Sequence, residues 1–255
     1  MPTIPYSIVI PAWNEEETIG DVILGVRHLT DDLIVVDGHS TDRTHEISRQ
    51  LRARVVLDHG LGKGDAIRVG LATAYHRIAV FIDADGSHEP KDIPALVAPI
   101  AAGEADLVIA SRTRGGSDEL YGSFSELIRL VGSVLTTLAI NYRYGVRLTD
   151  YQNGFRAIST EVGNAIGIRA NKTTVEQEMA MLCLNRGYRV TEVPSHEYRR
   201  KAGESKIFVP RLAHRYVLNL LRGTLCRNTK VRKHQLAEAP LAQPSAAAAS
   251  ATAGR

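Results

Sequence analysis

Uninterrupted runs of aliphatic residues in the first third of the chain restrict its fold more than any other feature. Residues 7–12 (SIVIPA), 32–38 (DLIVVDG) and 78–86 (IAVFIDADG) each contain an apolar stretch without polar alternation. Strands that are buried on both faces of a parallel sheet have this pattern. Residues 52–58 and 105–112 are two further predicted strands.

Stretches with helical spacing of apolar residues separate these strands. They cover residues 17–29, 41–51, 64–75 and 92–102. A strand followed by a helix, repeated from the N-terminus, predicts an α/β fold with a doubly wound, mostly parallel sheet. Ligands of such sheets bind beyond the carboxyl ends of the strands, which here carry residues 11–15, 37–42 and 83–85.

The second half of the chain predicts three more helices and a strand. Residues 174–186 are a predicted helix and 188–194 a predicted strand, and residues 210–226 form an amphipathic helix. Residues 125–139 form another, with one apolar face (Leu127, Ile128, Val131, Val134, Leu135, Leu138) and one polar face (Arg129, Ser133, Thr136). We expect one domain over residues 1–226, ending in amphipathic helices, and a basic, then Ala/Pro/Ser-rich disordered tail over 227–255.

Composition excludes several classes of protein. The chain has 255 residues, of which 44% are hydrophobic and 23% charged, as expected for a globular protein with one main domain. Only two cysteines, Cys183 and Cys226, are present, which excludes a disulfide scaffold or a cysteine zinc site. No apolar run reaches 18 residues, and the N-terminus lacks the pattern of a signal peptide. We therefore expect a soluble, intracellular protein.

The sequence Asp83-Ala84-Asp85 follows a hydrophobic strand and is the strongest local signal of a site. Two carboxylates at a strand end can hold a hard cation such as Mg²⁺ or Mn²⁺ and leave positions open for phosphate oxygens. An equally weighted interpretation is that Asp85 caps a turn in which Gly86 makes the bend.

Two other strand ends carry candidate ligand-binding residues. Asp37 could accept a hydrogen bond from a nucleobase, whereas Asp42 is better interpreted as a cap of the next helix. Trp13, the only tryptophan, could stack on a base, although a single tryptophan is more often part of the core. Residues 60–65 (GLGKGD) lack the Ser or Thr that a P-loop requires after Gly-Lys, so we exclude a P-loop while a close approach to a ligand remains open.

Seven segments together resemble a known family. IVIPAWNEE, VVDGHSTD, GKGDAIRVG, DADGSHEP, ASR, TDYQNGFRAIS and RRKAGESK, in this order, are similar to family 2 glycosyltransferases of the GT-A (Rossmann-like) fold. The last two segments, with Gly154-Phe155-Arg156 and Gly203-x-Ser205-Lys206, most resemble dolichyl- or polyprenyl-phosphate mannose synthases. The resemblance covers residues 4–226.

The resemblance implies roles for individual residues on the donor side. Asp83, Ala84 and Asp85 correspond to the Asp-x-Asp motif that binds Mg²⁺ or Mn²⁺, with Ser87 as a third candidate ligand where the family often has glutamine. The base and ribose would be surrounded by Pro11, Trp13, Glu15 and Asp37. The donor diphosphate would be bound by Arg200 and Lys206, with Lys172 as an additional candidate.

On the acceptor side, the resemblance implies that Arg112, Arg129 and Ser133 bind a lipid phosphate. Because that phosphate is already an anion, it can attack the anomeric carbon without a protein base. The enzyme would stabilise the leaving nucleoside diphosphate and place the acceptor in line. Glu178 matches an acidic family position on a helix, whereas Glu176 is less regular. An equally weighted interpretation is that both are solvated charges or pair with Lys172 within the helix.

The expected reaction is the inverting, metal-dependent transfer of a hexose, first of all mannose from GDP-mannose, to a polyprenyl or dolichyl phosphate. UDP-glucose or UDP-N-acetylglucosamine are alternative donors, because Gln152 and Asn153 depart from the mannose-synthase pattern. A soluble family 2 enzyme with a non-lipid acceptor and a non-catalytic nucleotide-sugar-binding subunit are the other hypotheses. The four residues Asp83, Asp85, Arg200 and Lys206 together argue against a subunit without catalytic activity.

A lipid acceptor implies a membrane surface. Between residues 199 and 233, eleven residues are Lys or Arg and one is acidic. Basic residues attract anionic lipids, and the two amphipathic helices could lie in the interface. We expect a peripheral protein on the cytosolic face, alone or with a small membrane-anchoring subunit. Nucleic acid is not an expected partner, because few aromatic residues accompany the basic ones.

Overall fold

A computed structural model of the protein describes residues 4–118 and 124–200, with residues 124–131 described by their backbone only. The predicted helix over 210–226, the predicted tail and Lys206 lie outside these residues. The division into a domain over 1–226 and a tail over 227–255 stays a prediction.

The described residues form a seven-stranded sheet in the order β3-β2-β1-β4-β6-β5-β7. All neighbouring strands are parallel except for the two pairs that include β6. The strands are β1 Ser7–Ala12, β2 Asp32–Asp37, β3 Arg54–Leu57, β4 Ile78–Phe81, β5 Leu107–Ser111, β6 Arg156–Ser159 and β7 Val190–Pro194.

Eight α-helices connect these strands in the described part of the chain. They are α1 Ile19–Val26, α2 Thr44–Gln50, α3 Lys63–Thr73, α4 Ile93–Ala101, α5 Arg112–Gly115, α6 Phe124–Tyr144, α7 Thr160–Ala165 and α8 Val175–Asn185. Alternate residues of β1 belong to different apolar clusters: Ile8 and Ile10 pack with α1 and α4, whereas Val9 packs with α3. The sheet is therefore buried on both faces, which explains why its strands are continuously apolar.

The predicted α/β fold with a mostly parallel sheet is confirmed. The first three strands run outward from β1 on one side, and β4 then returns to its other side. This reversal creates a topological switch point between β1 and β4, and a crevice at their carboxyl ends is the usual ligand site of such a sheet.

The structure corrects several element boundaries. Of the run over residues 78–86, only Ile78–Phe81 form β4, so the strand ends before Ile82 and Asp83. The prediction contained no strand at β6, because this strand has four residues and begins with the charged Arg156. It also ended α6 five residues early, at 139 instead of Tyr144.

Three residues of the predicted apolar face of α6, all in the part whose side chains are described, do not join the core. Val134, Leu135 and Leu138 are about half exposed or more, with 47%, 62% and 57% of their surface accessible. Among residues 132–144 of α6, Thr137 and Ile140 are buried. Across residues 4–118 and 124–200, none of the helices has the length and apolar character that a bilayer span requires.

Candidate active site

Two loops at the carboxyl ends of β1 and β2 are joined by hydrogen bonds. The amide of Asn14 donates to Ser40 Oγ at 2.9 Å, and the amide of Thr41 donates to Asn14 Oδ1 at 2.8 Å. Asn14 and His39 have positive φ values of 54° and 62°, which are uncommon outside glycine. Mutual hydrogen bonding holds both loops in these conformations, and they form one edge of the crevice.

Trp13 and Asp37 lie on this edge, in contrasting environments. Trp13 is 51% exposed, so it is not a core residue. Asp37 is buried, and its carboxylate accepts from the Ser40 amide at 2.9 Å and contacts His45 Nδ1 at 3.0 Å. Asp42 accepts from the amide and hydroxyl of Thr44, the first residue of α2, although the N-cap position itself is Arg43.

A cluster of charged side chains follows β4 on the other side of β1. Lys63 Nζ lies 2.7 Å from Asp83 Oδ1 and 2.9 Å from Glu176 Oε1, so the ammonium group bridges two carboxylates. His88 Nε2 lies 3.5 Å from Asp83 Oδ2, and the His88 ring stacks on Phe155. Glu176 Oε2 and His88 Nε2 are buried atoms without a hydrogen-bond partner.

These contacts determine the charge states of Lys63 and Asp83. Burial alone would lower the pKa of Lys63, but Asp83 and Glu176 outweigh it and raise that pKa above its ordinary value. Burial would likewise raise the pKa of Asp83, but the charge of Lys63 and the neighbouring His88 side chain reverse this effect and hold that pKa far below its usual range. Asp83 is therefore an anion and Lys63 a cation at neutral pH.

Two glycines allow backbone to approach this cluster. A Cβ added at Gly154 would lie 2.6 Å from Asp83 Oδ2 and 2.8 Å from Lys63 Nζ. A Cβ added at Gly64 would lie 1.9 Å from the carbonyl oxygen of Ala170. A side chain at Gly154 would displace Asp83 or Lys63, and a side chain at Gly64 would collide with the backbone of residues 170–171. Within residues 60–65, Gly62 and Gly64 thus approach the backbone of residues 170–171, and the approach of this segment to a ligand stays a prediction.

Asp85 makes a separate set of contacts. Its Oδ1 accepts from the amide of Ser87 at 3.1 Å and from Ser87 Oγ at 2.7 Å. Its Oδ2 lies 3.3 Å from Arg200 Nε. The structure thus brings the predicted residues Asp83, Asp85, Ser87 and Arg200 into one region, with Ser87 as a donor to Asp85.

The carboxylates fit a divalent cation that takes most of its ligands from elsewhere. No group of three or more His, Cys, Asp or Glu residues in 4–118 and 124–200 could hold a metal ion by itself. Asp83 and Asp85 offer hard oxygen ligands, which Mg²⁺ and Mn²⁺ accept together with phosphate oxygens and water. The donor set therefore fits a cation that arrives with a phosphorylated ligand.

Arg112 is held by carboxylates at the carboxyl end of β5. Its Nε lies 2.6 Å from Asp150 Oδ2, its Nη2 lies 2.9 Å from Asp150 Oδ1, and its Nη1 lies 3.2 Å from Glu197 Oε1. Burial would lower the pKa of Arg112, but Asp150 and Glu197 raise it further above its ordinary value. An acceptor phosphate would share this guanidinium with both carboxylates, and the predicted role of Arg112 stays a prediction.

The remaining predicted residues occupy several environments. Pro11 and Glu15 are partly buried beside Trp13, Ala84 is buried, and Lys172 is exposed near Gly62. Ser133 is partly buried on α6. The side chain of Arg129 and all of Lys206 lie outside the described residues, so their predicted roles are untested.

Sequence reasoning did not assign site roles to Lys63, His88 or Glu197, and it gave Glu176 less weight than Glu178. Glu178 accepts hydrogen bonds from the amides of Arg169 and Ala170, whereas Glu176 contacts the site. Glu176 is buried and lies between the apolar helix positions 175 and 179. The helical spacing of these apolar residues could have indicated that burial.

Comparison with known proteins agrees with this geometry. The model of the family described as glycosyl transferase family 2 matches residues 7–167, which include Trp13, Asp37, Lys63, Asp83 and Asp85. The chain belongs to glycosyltransferase family 2. The resemblance found in the sequence is therefore confirmed.

Relatives of this family 2 glycosyltransferase include three named proteins of archaea. The chain is 33% identical over 198 residues to glycosyltransferase AglJ of Haloferax volcanii, covering 77% of this chain and 64% of that protein. It is 28% identical to a dolichyl-phosphate hexose transferase of the same organism, with 79% and 86% covered. It is also 28% identical to a UDP-N-acetylglucosamine–dolichyl-phosphate N-acetylglucosaminyltransferase of Methanococcus voltae, with 73% and 83% covered.

Solved structures of GT-A glycosyltransferases show the same fold. Glucosyl-3-phosphoglycerate synthase from Mycobacterium tuberculosis, in complex with Mn²⁺, UDP-glucose and phosphoglyceric acid, has a TM-score of 0.69 and 28% identity. The match covers 86% of this family 2 chain and 79% of the synthase. A complex of that synthase with Mg²⁺ and UDP has a TM-score of 0.67 and 27% identity.

Proposed function

We propose that this protein transfers a hexose from a nucleotide sugar to a polyprenyl or dolichyl phosphate, with inversion and with Mg²⁺ or Mn²⁺. The observation that carries the proposal is the position of Asp83 and Asp85 at the switch point of the sheet, each beside a cation, Lys63 or Arg200. Anions and cations placed together beyond β4 suit a diphosphate that arrives with a divalent metal.

The side chains on the two sides of β1 bind different parts of the donor. Trp13 offers an exposed ring for stacking on the base, and Asp37 and Glu15 lie in the same pair of loops. On the β4 side, Arg200 is positioned to stabilise the diphosphate as it leaves, with Lys206 following in the sequence. A metal bound at Asp83 and Asp85 would supply further charge stabilisation of the leaving group.

The acceptor phosphate would approach from the side of α5 and α6. Arg112, Arg129 and Ser133 are the proposed phosphate-binding residues, and an anionic phosphate needs no base to attack. Val134, Leu135 and Leu138 expose apolar surface directly after Ser133, which suits a lipid acceptor at a membrane surface. The names of two relatives include dolichyl phosphate, in agreement with such an acceptor.

A small phosphorylated molecule is the second candidate acceptor. The synthase that shares this fold is described with phosphoglyceric acid, which has no lipid chain. GDP-mannose remains the first candidate donor, by resemblance, and UDP-glucose and UDP-N-acetylglucosamine are the alternatives. Attachment to the cytosolic face, alone or through a membrane subunit, is part of the same proposal.

A donor panel tests the proposal. Each of GDP-mannose, UDP-glucose and UDP-N-acetylglucosamine, radiolabelled in the sugar, is mixed with a short polyprenyl phosphate or with phosphoglyceric acid, in Mg²⁺ or Mn²⁺. We expect label from one donor to enter the organic phase with the polyprenyl phosphate. Label that is transferred only to phosphoglyceric acid would mean that the acceptor is a small phosphorylated molecule and not a lipid phosphate.

Two variants make the assay specific to the site. Asp85→Asn removes a charge from the proposed metal site and should lower transfer at least 100-fold. Glu104→Gln is the matched control, because it makes the same change of acid to amide at an exposed turn. Near-normal transfer by Asp85→Asn at saturating Mg²⁺ would show that the site is assigned incorrectly.

A further inference from the structure

The segment after β7 runs between two loops that serve opposite sides of the proposed site. The backbone of Glu197 forms isolated β-bridges with His88 on one side and with Ser117 on the other. The amide of Tyr198 donates to Ser87 O at 2.8 Å, and the amide of Glu197 donates to Gly116 O at 3.0 Å. The residues 195–200, hereafter the connecting segment, therefore contact both the loop that carries Asp85 and the loop that follows Arg112.

The side chain of Glu197, in the middle of this segment, is buried against Arg112 and Ser117. It is 8% exposed, its Oε1 accepts from Arg112 Nη1 at 3.2 Å, and its Oε2 accepts from Ser117 Oγ at 2.6 Å. Both oxygens thus bind residues of the segment 112–117, which consists of α5 and the two residues after it. Charge-assisted hydrogen bonds of this kind are stronger and geometrically more specific than neutral ones.

The segment of residues 112–117 is itself held by Asp150, which in turn is bound by Glu192 on β7. Asp150 binds the guanidinium of Arg112 through both oxygens, and the Glu192 carboxylate on β7 accepts from the amides of Thr149 and Asp150 at 2.6–2.8 Å. A Cβ at Gly115 would lie 2.3 Å from the backbone of Ser195, so this segment and the connecting segment are in direct contact. Glu197 is therefore bound to a segment that several hydrogen bonds hold in place.

Arg200 follows three residues later, with its Nε 3.3 Å from Asp85 Oδ2. Arginine has many rotamers, and a group that must meet a diphosphate gains from a fixed backbone. We infer that Glu197 is a positioning residue: by binding Arg112 and Ser117 it holds the connecting segment in the register that directs Arg200 to the donor diphosphate. This inference rests on the proposed role of Arg200 in donor binding.

A double-mutant cycle in donor affinity tests the inference. The full chain is titrated with GDP and with UDP, each with Mn²⁺, by calorimetry, for wild type, Glu197→Gln, Arg200→Ala and the double variant. Glu197→Gln keeps the size of the side chain but turns an amide donor or a neutral oxygen toward Arg112. We expect it to weaken nucleotide binding about 5- to 10-fold, and to have little further effect once Arg200 is alanine.

The controls separate positioning from general damage to the fold. Ser117→Ala removes one of the two partners of Glu197 and should weaken binding in the same direction by a smaller factor. Tyr198→Phe removes the exposed contact of the Tyr198 hydroxyl with Glu89, 3.2 Å away, and should leave affinity unchanged. Thermal unfolding of all variants is measured in parallel.

The outcomes distinguish the inference from the proposed function. If Glu197→Gln binds nucleotide like wild type while Arg200→Ala binds weakly, the inference is overturned and the role of Arg200 stands. If the losses of the two variants add fully, Glu197 acts independently of Arg200 and the inference is again overturned. If Arg200→Ala binds like wild type, the role proposed for Arg200 is incorrect, and the inference is overturned with it.

Discussion

Lys63 Nζ lies 2.7 Å from Asp83 Oδ1 and joins the first turn of α3 to the motif that follows β4. The same ammonium group contacts Glu176 on α8, so three segments that are distant in the sequence meet at one cation. Removing it would leave two carboxylates close to each other without compensation. The contact is therefore a stabilising element as well as part of the proposed site.

Lys63→Met should lower the free energy of unfolding by about 2–3 kcal/mol. Breaking a buried ion pair by removing one partner costs roughly 3–5 kcal/mol, and the partial exposure of Lys63 and Asp83 reduces that figure. Urea unfolding of the full chain provides the measurement. Lys172→Met is the control, because Lys172 is exposed and its replacement should change stability by less than about 0.5 kcal/mol.

The double variant Lys63→Met/Glu176→Gln checks the cause. Glu176→Gln removes one of the two carboxylates, so it should restore part of the stability that Lys63→Met loses. Losses that simply add would mean that Lys63 and Glu176 do not interact in solution.

Arg200→Ala should strengthen the binding of Mn²⁺ in the absence of nucleotide and weaken the binding of a nucleoside diphosphate. Without nucleotide, Arg200→Ala removes a cation 3.3 Å from Asp85 Oδ2, so Mn²⁺ should bind roughly 3- to 5-fold more tightly. With a nucleoside diphosphate, the same variant loses a proposed contact to phosphate, and the nucleotide should bind more weakly.

Electron paramagnetic resonance of free Mn²⁺ measures the first effect and calorimetry the second. Arg199→Ala is the matched control, since it removes the same charge from the adjacent, exposed residue. Weaker Mn²⁺ binding by Arg200→Ala in the absence of nucleotide would contradict competition between Arg200 and the metal for Asp85.

Much of the fold followed from the sequence because burial on both faces leaves a clear trace. The runs around Val9, Val35 and Val80 have no polar alternation, so they predicted the strands, and the doubly wound pattern located the crevice. β6 left no such trace. Its first residue, Arg156, is completely buried, and its guanidinium donates to the carbonyls of Tyr151 and Glu176, which only the tertiary structure provides.

The site was predicted in part for a similar reason. Asp83, Asp85 and Asp37 lie at strand ends, where position alone indicates a ligand site. Lys63 and Glu176 reach the same cluster from helices, and their contact depends on how α3 and α8 pack. Spacing within one helix cannot predict a contact between two helices, so Glu176 was paired with Lys172 as an alternative and its real partner was missed.

Gly154→Ala should reduce transfer at least roughly tenfold, and its loss of stability should be smaller than that of Lys63→Met, because the ion pair is displaced and not removed. The added Cβ meets Asp83 Oδ2 and Lys63 Nζ, which are the ends of side chains and can move aside. Their displacement disturbs the proposed metal site, and small misplacements of reacting groups can cost up to about 100-fold in rate. Steady-state kinetics and thermal unfolding together provide the measurement.

Gly132→Ala is the control for this change. Gly132 lies in α6 with nothing within 4 Å of an added Cβ, so alanine there should leave transfer unchanged and stabilise the helix slightly. Equal rates for Gly154→Ala and Gly132→Ala would show that Gly154 does not constrain the site.

Cys183 should make stability fall at alkaline pH. Burial on α8 raises the pKa of its thiol to about 12. An unfolded thiol has a pKa of about 8.5, so between these values the unfolded state binds fewer protons than the folded state. The free energy of unfolding therefore decreases as pH rises, and the contribution of Cys183 should amount to about 2 kcal/mol between pH 7 and pH 10.

Urea unfolding at pH 7 and pH 10 measures this contribution, in a Cys226→Ser background so that Cys183 is the remaining cysteine. Other groups also titrate in this range, and Cys183→Ala in the same background isolates the thiol, because alanine changes the stability at both pH values equally. The decrease from pH 7 to pH 10 should be about 2 kcal/mol smaller in Cys183→Ala. Equal decreases in the two proteins would mean that the Cys183 thiol ionises as easily in the folded state as in the unfolded chain, and that it is not buried in the folded protein.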